Sequence, residues 1–388
     1  MSGARQSTLR TANLGLVLRT VCAAGQPLSR ADVATATGTT RATAARLADE
    51  LVAGGLLDES EPSAPNGPGR PGIPLVPGAS IAALGLQVDA GLLAARVLDL
   101  RGRVVAERVE DGDFVGSDPA STLQRLGALT VGLLAERPDL RLVGAGLALP
   151  GIVDAATGVL LRAPNLGWSD LRPADLLDLP LTPALGNEAD LAARTVAESA
   201  PGRPGPHRDF LYLSGQIGVG GAAVLAGQVL SGTSGWAGEM GHVCVDPDGP
   251  ACRCGSTGCL EQYAGRRALL SAAGLPRDAG PGELARRVEA GDPAARRAID
   301  TAARALGIAL AGVINVLDIP TVVLGGHLGE LAPFLRPALQ DHLRRRVLSG
   351  GWRPPTIEAA AALPAAGATG AALRALGDVV ADPARWLG

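Results

Sequence analysis

Between Gly238 and Glu261 the chain reads GEMGHVCVDPDGPACRCGSTGCLE. His242 and four cysteines fall within eighteen residues there, ringed by glycines and flanked by Glu239 and Glu261. Cys252, Cys254 and Cys259 follow a C-x-C-G-x-x-G-C spacing, and His242 lies ten residues upstream of the first. Three thiolates and one imidazole complete a tetrahedral set for Zn²⁺ and leave no open position, so the zinc is expected to be structural. Disulfides or free thiols are the alternative for the same residues. Glu239 and Glu261 stay outside that set, and acidic side chains beside a metal-braced loop point to a ligand pocket. Cys244 is expected to be a small buried residue on a strand rather than a fifth ligand. His207 and His327 belong to no motif and are expected to be solvated.

A loop of this kind needs a large scaffold. With 388 residues, 47% hydrophobic and 2% aromatic, the chain can build two or three domains with aliphatic cores. No signal-peptide pattern is present, and no apolar run reaches the roughly 18 residues of a membrane span. Together with an odd, clustered set of cysteines, this favours a cytoplasmic protein with no membrane partner. A net charge of -3 argues against global affinity for nucleic acid. The charge is unevenly placed, however. Residues 1–48 carry Arg5, Arg10, Arg19, Arg30, Arg41 and Arg46 against Asp32 alone, so this end suits a polyanionic partner.

The basic end has the pattern of a helix-turn-helix. Leu9, Leu14, Val17, Leu18 and Val21 recur at helical spacing, and Gly25 and Pro27 stop that helix. Ser29 with Asp32 approaches a capping box for a short helix from Arg30 to Thr37. A third helix from near Thr40 to Ala53 buries Ala44, Leu47 and Leu51. In this arrangement the third helix enters the major groove, which makes Thr39, Thr40, Arg41, Thr43 and Arg46 the candidate DNA contacts. Leu56-Leu57 reads as a strand, and PNGPGRPGIPLV returns to a second strand past Arg70, like the wing of a winged helix with Arg70 reaching the minor groove. A three-helix protein-interaction module is the competing reading.

The expected organisation is a winged helix-turn-helix over residues 1–62, with its wing extending to about 76, a wing and linker segment over 63–79, and a large domain over 80–388. From Ser80 the pattern becomes strand, turn, strand, hairpin, and an echo of it begins at FLYLSG, about 125 residues later. Helices near Pro119–Glu136 and Pro293–Leu317 follow the two blocks. The alternation predicts an α/β fold of two related lobes, with their boundary near 190 and a ligand crevice between them.

The string from Gly238 to Glu261 resembles the signature of the ROK family (repressors, open reading frames and sugar kinases), as do LPGIVD at 149–154, PNLGW at 164–168, GNEAD at 186–190 and VVLGG at 322–326. The resemblance covers essentially the whole chain, because the repressor branch also carries an N-terminal winged helix. It implies a two-lobed, actin-like and hexokinase-like fold of duplicated ribonuclease H-like lobes. It implies zinc on His242, Cys252, Cys254 and Cys259. It also implies sugar hydroxyls on Asn165, Asn187, Glu239, His242 and Glu261, with Glu188 a further hydroxyl-binding candidate. Carboxylates accept two such bonds, and an amide both donates and accepts. A metal on one ring nitrogen of His242 would fix the tautomer that the other presents.

The same family contains kinases, whose first phosphate turn reads D-x-G-G-T. Here it is Asp89-Ala90-Gly91-Leu92-Leu93. The second turn of the kinases, G-T-G-x-G-G, has Ile217 at the threonine place, before Gly218-Val219-Gly220-Gly221. The kinase base lies in N-D-A-N, which here is Asn187-Glu188-Ala189-Asp190, so Glu188 holds the base position on a side chain one methylene longer. A degraded nucleotide half beside an intact sugar half favours a sensor over an enzyme. The expected protein is a transcriptional regulator, most simply a repressor, that binds operator DNA as a homodimer or a dimer of dimers and takes a sugar or sugar derivative as effector. An ATP-dependent sugar kinase carrying a DNA-binding domain is the alternative.

Overall fold

Apolar stripes at helical spacing build the first unit. The computed structural model describes residues 2–61, 73–280 and 282–387, the side chains of residues 2–8 excepted. Helix α1 (Ser2–Ala24) buries Leu14, Val17, Leu18 and Val21, each worth roughly 1.5–3 kcal/mol on full burial. Leu9, expected on the same buried stripe, is instead 63% exposed, because the helix has run past the core by that turn. Helix α2 (Arg30–Thr37) starts at the predicted capping box. Ser29 Oγ accepts from Asp32 N, and the Asp32 carboxylate accepts from Ser29 N at 2.9 Å. Helix α3 (Arg41–Ala53) is capped by Thr40 and inserts Ala44, Leu47 and Leu51 into the same core. Strand β1 (Leu57–Glu59) pairs antiparallel with β2 (Leu75–Pro77), and Leu28 exchanges backbone hydrogen bonds with Leu75. The wing tip, with Arg70, lies outside the described residues.

Strand β3 (Ile81–Val88) is buried along its whole length, as expected for the centre of a sheet covered on both faces. It pairs antiparallel with β4 (Leu92–Asp99), which pairs with β5 (Val104–Asp111). After α4 (Pro119–Ala135), β6 (Arg141–Leu149) returns parallel to β3. A side sheet of β7 (Ile152–Asp154), β8 (Val159–Ala163) and β9 (Trp168–Leu171) follows. Strand β10 (Ala184–Asn187) then lies parallel to β6 and leads into α5 (Glu188–Ala197). A small hairpin of β11 (Glu198–Ala200) and β12 (Arg203–Pro204) ends this lobe.

The second lobe repeats the plan. Strands β13 (Phe210–Gly215), β14 (Val219–Leu225) and β15 (Gln228–Val229) form an antiparallel run. The cysteine loop follows, then α6 (Glu261–Ala264), α7 (Arg266–Ala272), α8 (Glu283–Glu289) and α9 (Pro293–Leu317). Strand β16 (Thr321–Gly325) pairs parallel with β13 and, after α10 (Gly326–Glu330) and α11 (Ala332–Arg346), with β17 (Thr356–Ala359). Among the described residues the two large sheets therefore have matching orders, β5-β4-β3-β6-β10 and β15-β14-β13-β16-β17, with matching strand directions. By length and hydropathy α9 would suffice to cross a membrane, but its apolar stripe, Ala302, Leu306 and Leu310 among it, is buried in the core of the second lobe.

The last helix, α12 (Ala366–Ala381), returns to the first lobe and packs on α5 and β3. A β-carbon on Gly370 would come within 1.7 Å of the Leu191 carbonyl, so only glycine lets these helices meet backbone to backbone. The C-terminal end of α12 joins the helix-turn-helix. Leu14, Leu18, Leu47 and Leu51 share one apolar cluster with Leu98, Leu100, Leu373, Leu376 and Val379. The helix-turn-helix unit thus shares one apolar core with the first lobe.

Two histidine expectations need correction. His327 is buried at the start of α10, where Nε2 lies 3.0 Å from the Ala264 carbonyl oxygen and burial pushes its pKa down to about 4. His207 is half-buried and sits 2.9 Å from Glu358.

Candidate functional site

Four ligand atoms converge in the loop after β15. Cys254 Sγ and Cys259 Sγ are 3.7 Å apart, His242 Nδ1 is 3.8 Å from Cys252 Sγ, and all four atoms lie within 4.8 Å of one another. A tetrahedral ion with metal–sulfur bonds of about 2.3 Å has sulfur–sulfur edges of about 3.8 Å. The cluster therefore fits a metal of that size. The loop is held closed by its own backbone, with Val245 N donating to the Gly258 carbonyl and Leu260 N to that of Val243. Val243 and Val245 face the core, so the alternation turns Cys244 outward. Cys244 is exposed and takes part only in an isolated bridge with Cys259, not in a core strand as expected.

The same loop aims carboxylates into the crevice between the lobes. Glu261, at the start of α6, is buried, and its Oε1 accepts from the Cys252 thiol at 2.9 Å. Its Oε2 lies beside Gly218 in the turn between β13 and β14, where a β-carbon would stand 2.3 Å from that oxygen and 3.1 Å from Asn165 Nδ2. His242 turns Nδ1 toward Cys252 and Nε2 toward Glu239, whose Oε2 is 3.9 Å away. Arg162 on β8 donates to the carbonyls of Arg253 and Cys254, tying the first lobe to the cysteine loop of the second.

All six residues expected to meet a sugar, Asn165, Asn187, Glu188, Glu239, His242 and Glu261, line this crevice. Asn187 also has a local task. Its Oδ1 accepts from Ala189 N and Asp190 N to cap α5, and its Nδ2 donates to the Gly151 carbonyl. That cap holds Glu188, the first residue of α5, against the crevice floor.

The acidic groups of the crevice share one electrostatic setting. Burial, with the charge of Asp89 adding to it, pushes Glu188 up to about 8. Burial likewise raises Asp89 to about 6 and, with Glu239 nearby, Asp190 to about 7. Glu239 is also raised by burial, against the pull of His242. Asp190 was not singled out by composition or spacing as a site residue, yet its Oδ1 is buried without a hydrogen-bond partner among the described residues. Its only sequence signal is its place in GNEAD. In the turn between β3 and β4, Asp89 Oδ1 accepts from Gly91 N at 2.6 Å and from Leu92 N at 3.0 Å, which occupies the amides of that turn. None of the described residues lining the crevice is arginine, and the chain has no lysine.

The helix-turn-helix residues divide by what already holds them. Thr40 caps α3 and donates to Thr43 Oγ1, and Thr39 Oγ1 lies 2.9 Å from Thr37 Oγ1. Arg46 pairs with Glu50 at 2.5 Å, and Glu50 also takes Arg10. Arg41 stands exposed at the first position of α3.

Comparison with known proteins adds a family to this geometry. Residues 99–377 match the ROK family, and residues 12–61 match the IclR helix-turn-helix domain. The chain is similar to a xylose repressor of Caldicellulosiruptor bescii, 25% identical over 357 residues, covering 87% of this chain and 88% of that protein. It is also similar to a glucokinase of Halalkalibacterium halodurans, 31% identical over 257 residues, covering 57% of this chain and 76% of that one. Among solved structures, a ROK family transcriptional regulator, a homologue of the E. coli MLC protein, superposes with a TM-score of 0.78 at 23% identity, covering 98% of this chain and 99% of that one.

Proposed function

Because the chain belongs to the ROK family and opens with an IclR-type helix-turn-helix, we propose that it is a sugar-responsive transcriptional repressor that works in the cytoplasm on operator DNA. One observation carries the reading. Similarity to the xylose repressor runs through 87% of the chain, whereas similarity to the glucokinase spans 57% of it.

The crevice supports the effector half of the proposal. Glu188, Glu239 and Glu261 offer hydroxyl acceptors, and Asn165 offers both a donor and an acceptor. With no arginine among the described residues of its walls, the crevice suits an uncharged sugar. A phosphorylated one would set a charge of about -1.5 to -2 against several carboxylates. Zinc on His242, Cys252, Cys254 and Cys259 would brace the loop that carries Glu239 and Glu261, and supplies no chemistry beyond that brace. On the DNA side, Arg41 is the base-reading candidate, while Thr39, Thr40, Thr43 and Arg46 suit shaping or backbone contact. Two copies are needed to span the half-sites of an operator.

The kinase reading is favoured by the glucokinase similarity. Against it stand Leu92 and Leu93 in the first turn, amides already taken by Asp89, and a longer carboxylate at Glu188. Two titrations decide between the readings. Operator binding followed by anisotropy across a sugar panel should change with at least one uncharged sugar, and no response to any sugar would overturn the proposal. Coupled ADP release should stay at background, and sustained turnover would establish the kinase.

A further inference from the structure

Helix α5 lines the crevice, and the hairpin that follows it touches α1. Glu188, its first residue, is buried in the crevice wall, and Asn187 caps it there. Ten residues on, about 15 Å along the axis, the chain turns into the β11–β12 hairpin. Gly202 at its tip has φ 72, and a β-carbon there would lie 3.0 Å from Val380 Cγ1 and 3.4 Å from Cys22 Cβ. The tip is therefore wedged between α12 and α1. Arg203 beside it donates from Nε to the Cys22 carbonyl at 3.3 Å. That carbonyl is among the last four of α1, which lack intrahelical partners and favour a cation. Gly25, just past the end of α1, packs against the same guanidinium. A surface pocket bounded by Gln26, Pro27, Val76 and Arg101 as well as Arg203 adjoins the contact.

We propose that α5 and its hairpin carry the effector signal to the helix-turn-helix, and that Arg203 is the positioning residue through which it passes. The inference rests on the crevice being a sugar site. An effector that draws Glu188 toward Glu239 moves α5 along its axis. Because α5 meets α12 backbone to backbone at Gly370, the two helices move as one body against α1. Arg203 then delivers the displacement to the end of α1, and the shared core passes it to α3.

The test uses the full-length protein, a duplex selected from random sequence by the wild type, and D-xylose, D-glucose and N-acetyl-D-mannosamine as probes. In the wild type, the sugar that binds should change duplex affinity by roughly 5- to 150-fold. Arg203→Ala should bring that ratio to within about twofold of one. It should leave sugar affinity and sugar-free duplex affinity near wild type, and the duplex should no longer alter sugar affinity, as linkage requires. Arg203→Lys, which can still donate to the Cys22 carbonyl, should keep part of the ratio. An unchanged ratio in Arg203→Ala overturns the inference. So does loss of duplex affinity without sugar, the mark of a helix cap and nothing more. If none of the three sugars alters wild-type duplex affinity, the sugar reading itself fails, and the inference falls with it.

Discussion

Gly218→Ala probes the crevice with a single carbon. Gly218 has no positive φ, so alanine fits its backbone, and the effect lies wholly in what the new methyl meets. It would lie 2.3 Å from Glu261 Oε2, where real β-carbons essentially never approach within 3.0 Å, so the carboxylate must retreat by roughly 0.7 Å or more. Glu261 has little freedom to do so, being buried at the start of α6. Its hydroxyl bond to the effector is then lost or badly bent. Hydrogen bonds to charged groups are worth about 1.5–3 kcal/mol, so the dissociation constant should rise roughly 10- to 150-fold. Stability should change little, because the displaced atom is the end of a side chain, and replacing glycine itself stabilises by about 0.4–1 kcal/mol through the unfolded state. Calorimetric titration with the effector and anisotropy with effector-free operator read the two effects separately. An alanine variant that binds sugar within about twofold of wild type would refute the placement of the sugar against Glu261.

Three further outcomes are expected. Cys254→Ser should lose the bound metal, read as zinc per chain by atomic emission, and weaken effector binding through the loosened loop; undiminished zinc content would contradict the ligand set. Glu188→Gln tests the buried carboxyl: with a pKa raised from 4.5 to about 8, the folded chain keeps a proton that the unfolded chain releases. Its stabilising contribution is therefore whole below pH 4.5 and is lost as pH rises toward 8, by at most about 1.4 kcal/mol per unit. Urea unfolding should show a steeper loss between pH 5 and pH 8 in the wild type than in Glu188→Gln, with Asp89 and Asp190 leaving some slope in both; equal slopes would remove Glu188 as the source. Arg41→Ala should cost about 1–3 kcal/mol on the operator and less on random DNA, whereas an equal loss on both would make Arg41 a phosphate contact.

What was legible in the chain is what local chemistry compels. Few spacings bring four ligand-type side chains together, and His242, Cys252, Cys254 and Cys259, singled out by theirs, do converge. Ser29 with Asp32 reads as a helix start because the backbone amides there need partners. The strand-turn-strand echo reads because both sheets bury the same run of strands. The misreadings share a different cause, since each depends on a neighbour remote in sequence or on a choice between two local uses. His327 looks like a solvated loop residue until the Ala264 carbonyl is seen to take its Nε2, and Cys244 looks like a core residue until Val243 and Val245 claim that face. Arg203 carries no motif at all. Its partner is the carbonyl of Cys22, 181 residues away, and a backbone acceptor leaves no side-chain signature to find. The loop proposed to bind an effector can therefore be read from spacing. The contact that would report its occupancy is a main-chain oxygen at a helix end, which any residue supplies. Mutations that uncouple sugar from operator should accordingly cluster at positions such as Arg203, Gly202 and Gly370, where geometry rather than side-chain chemistry makes the joint.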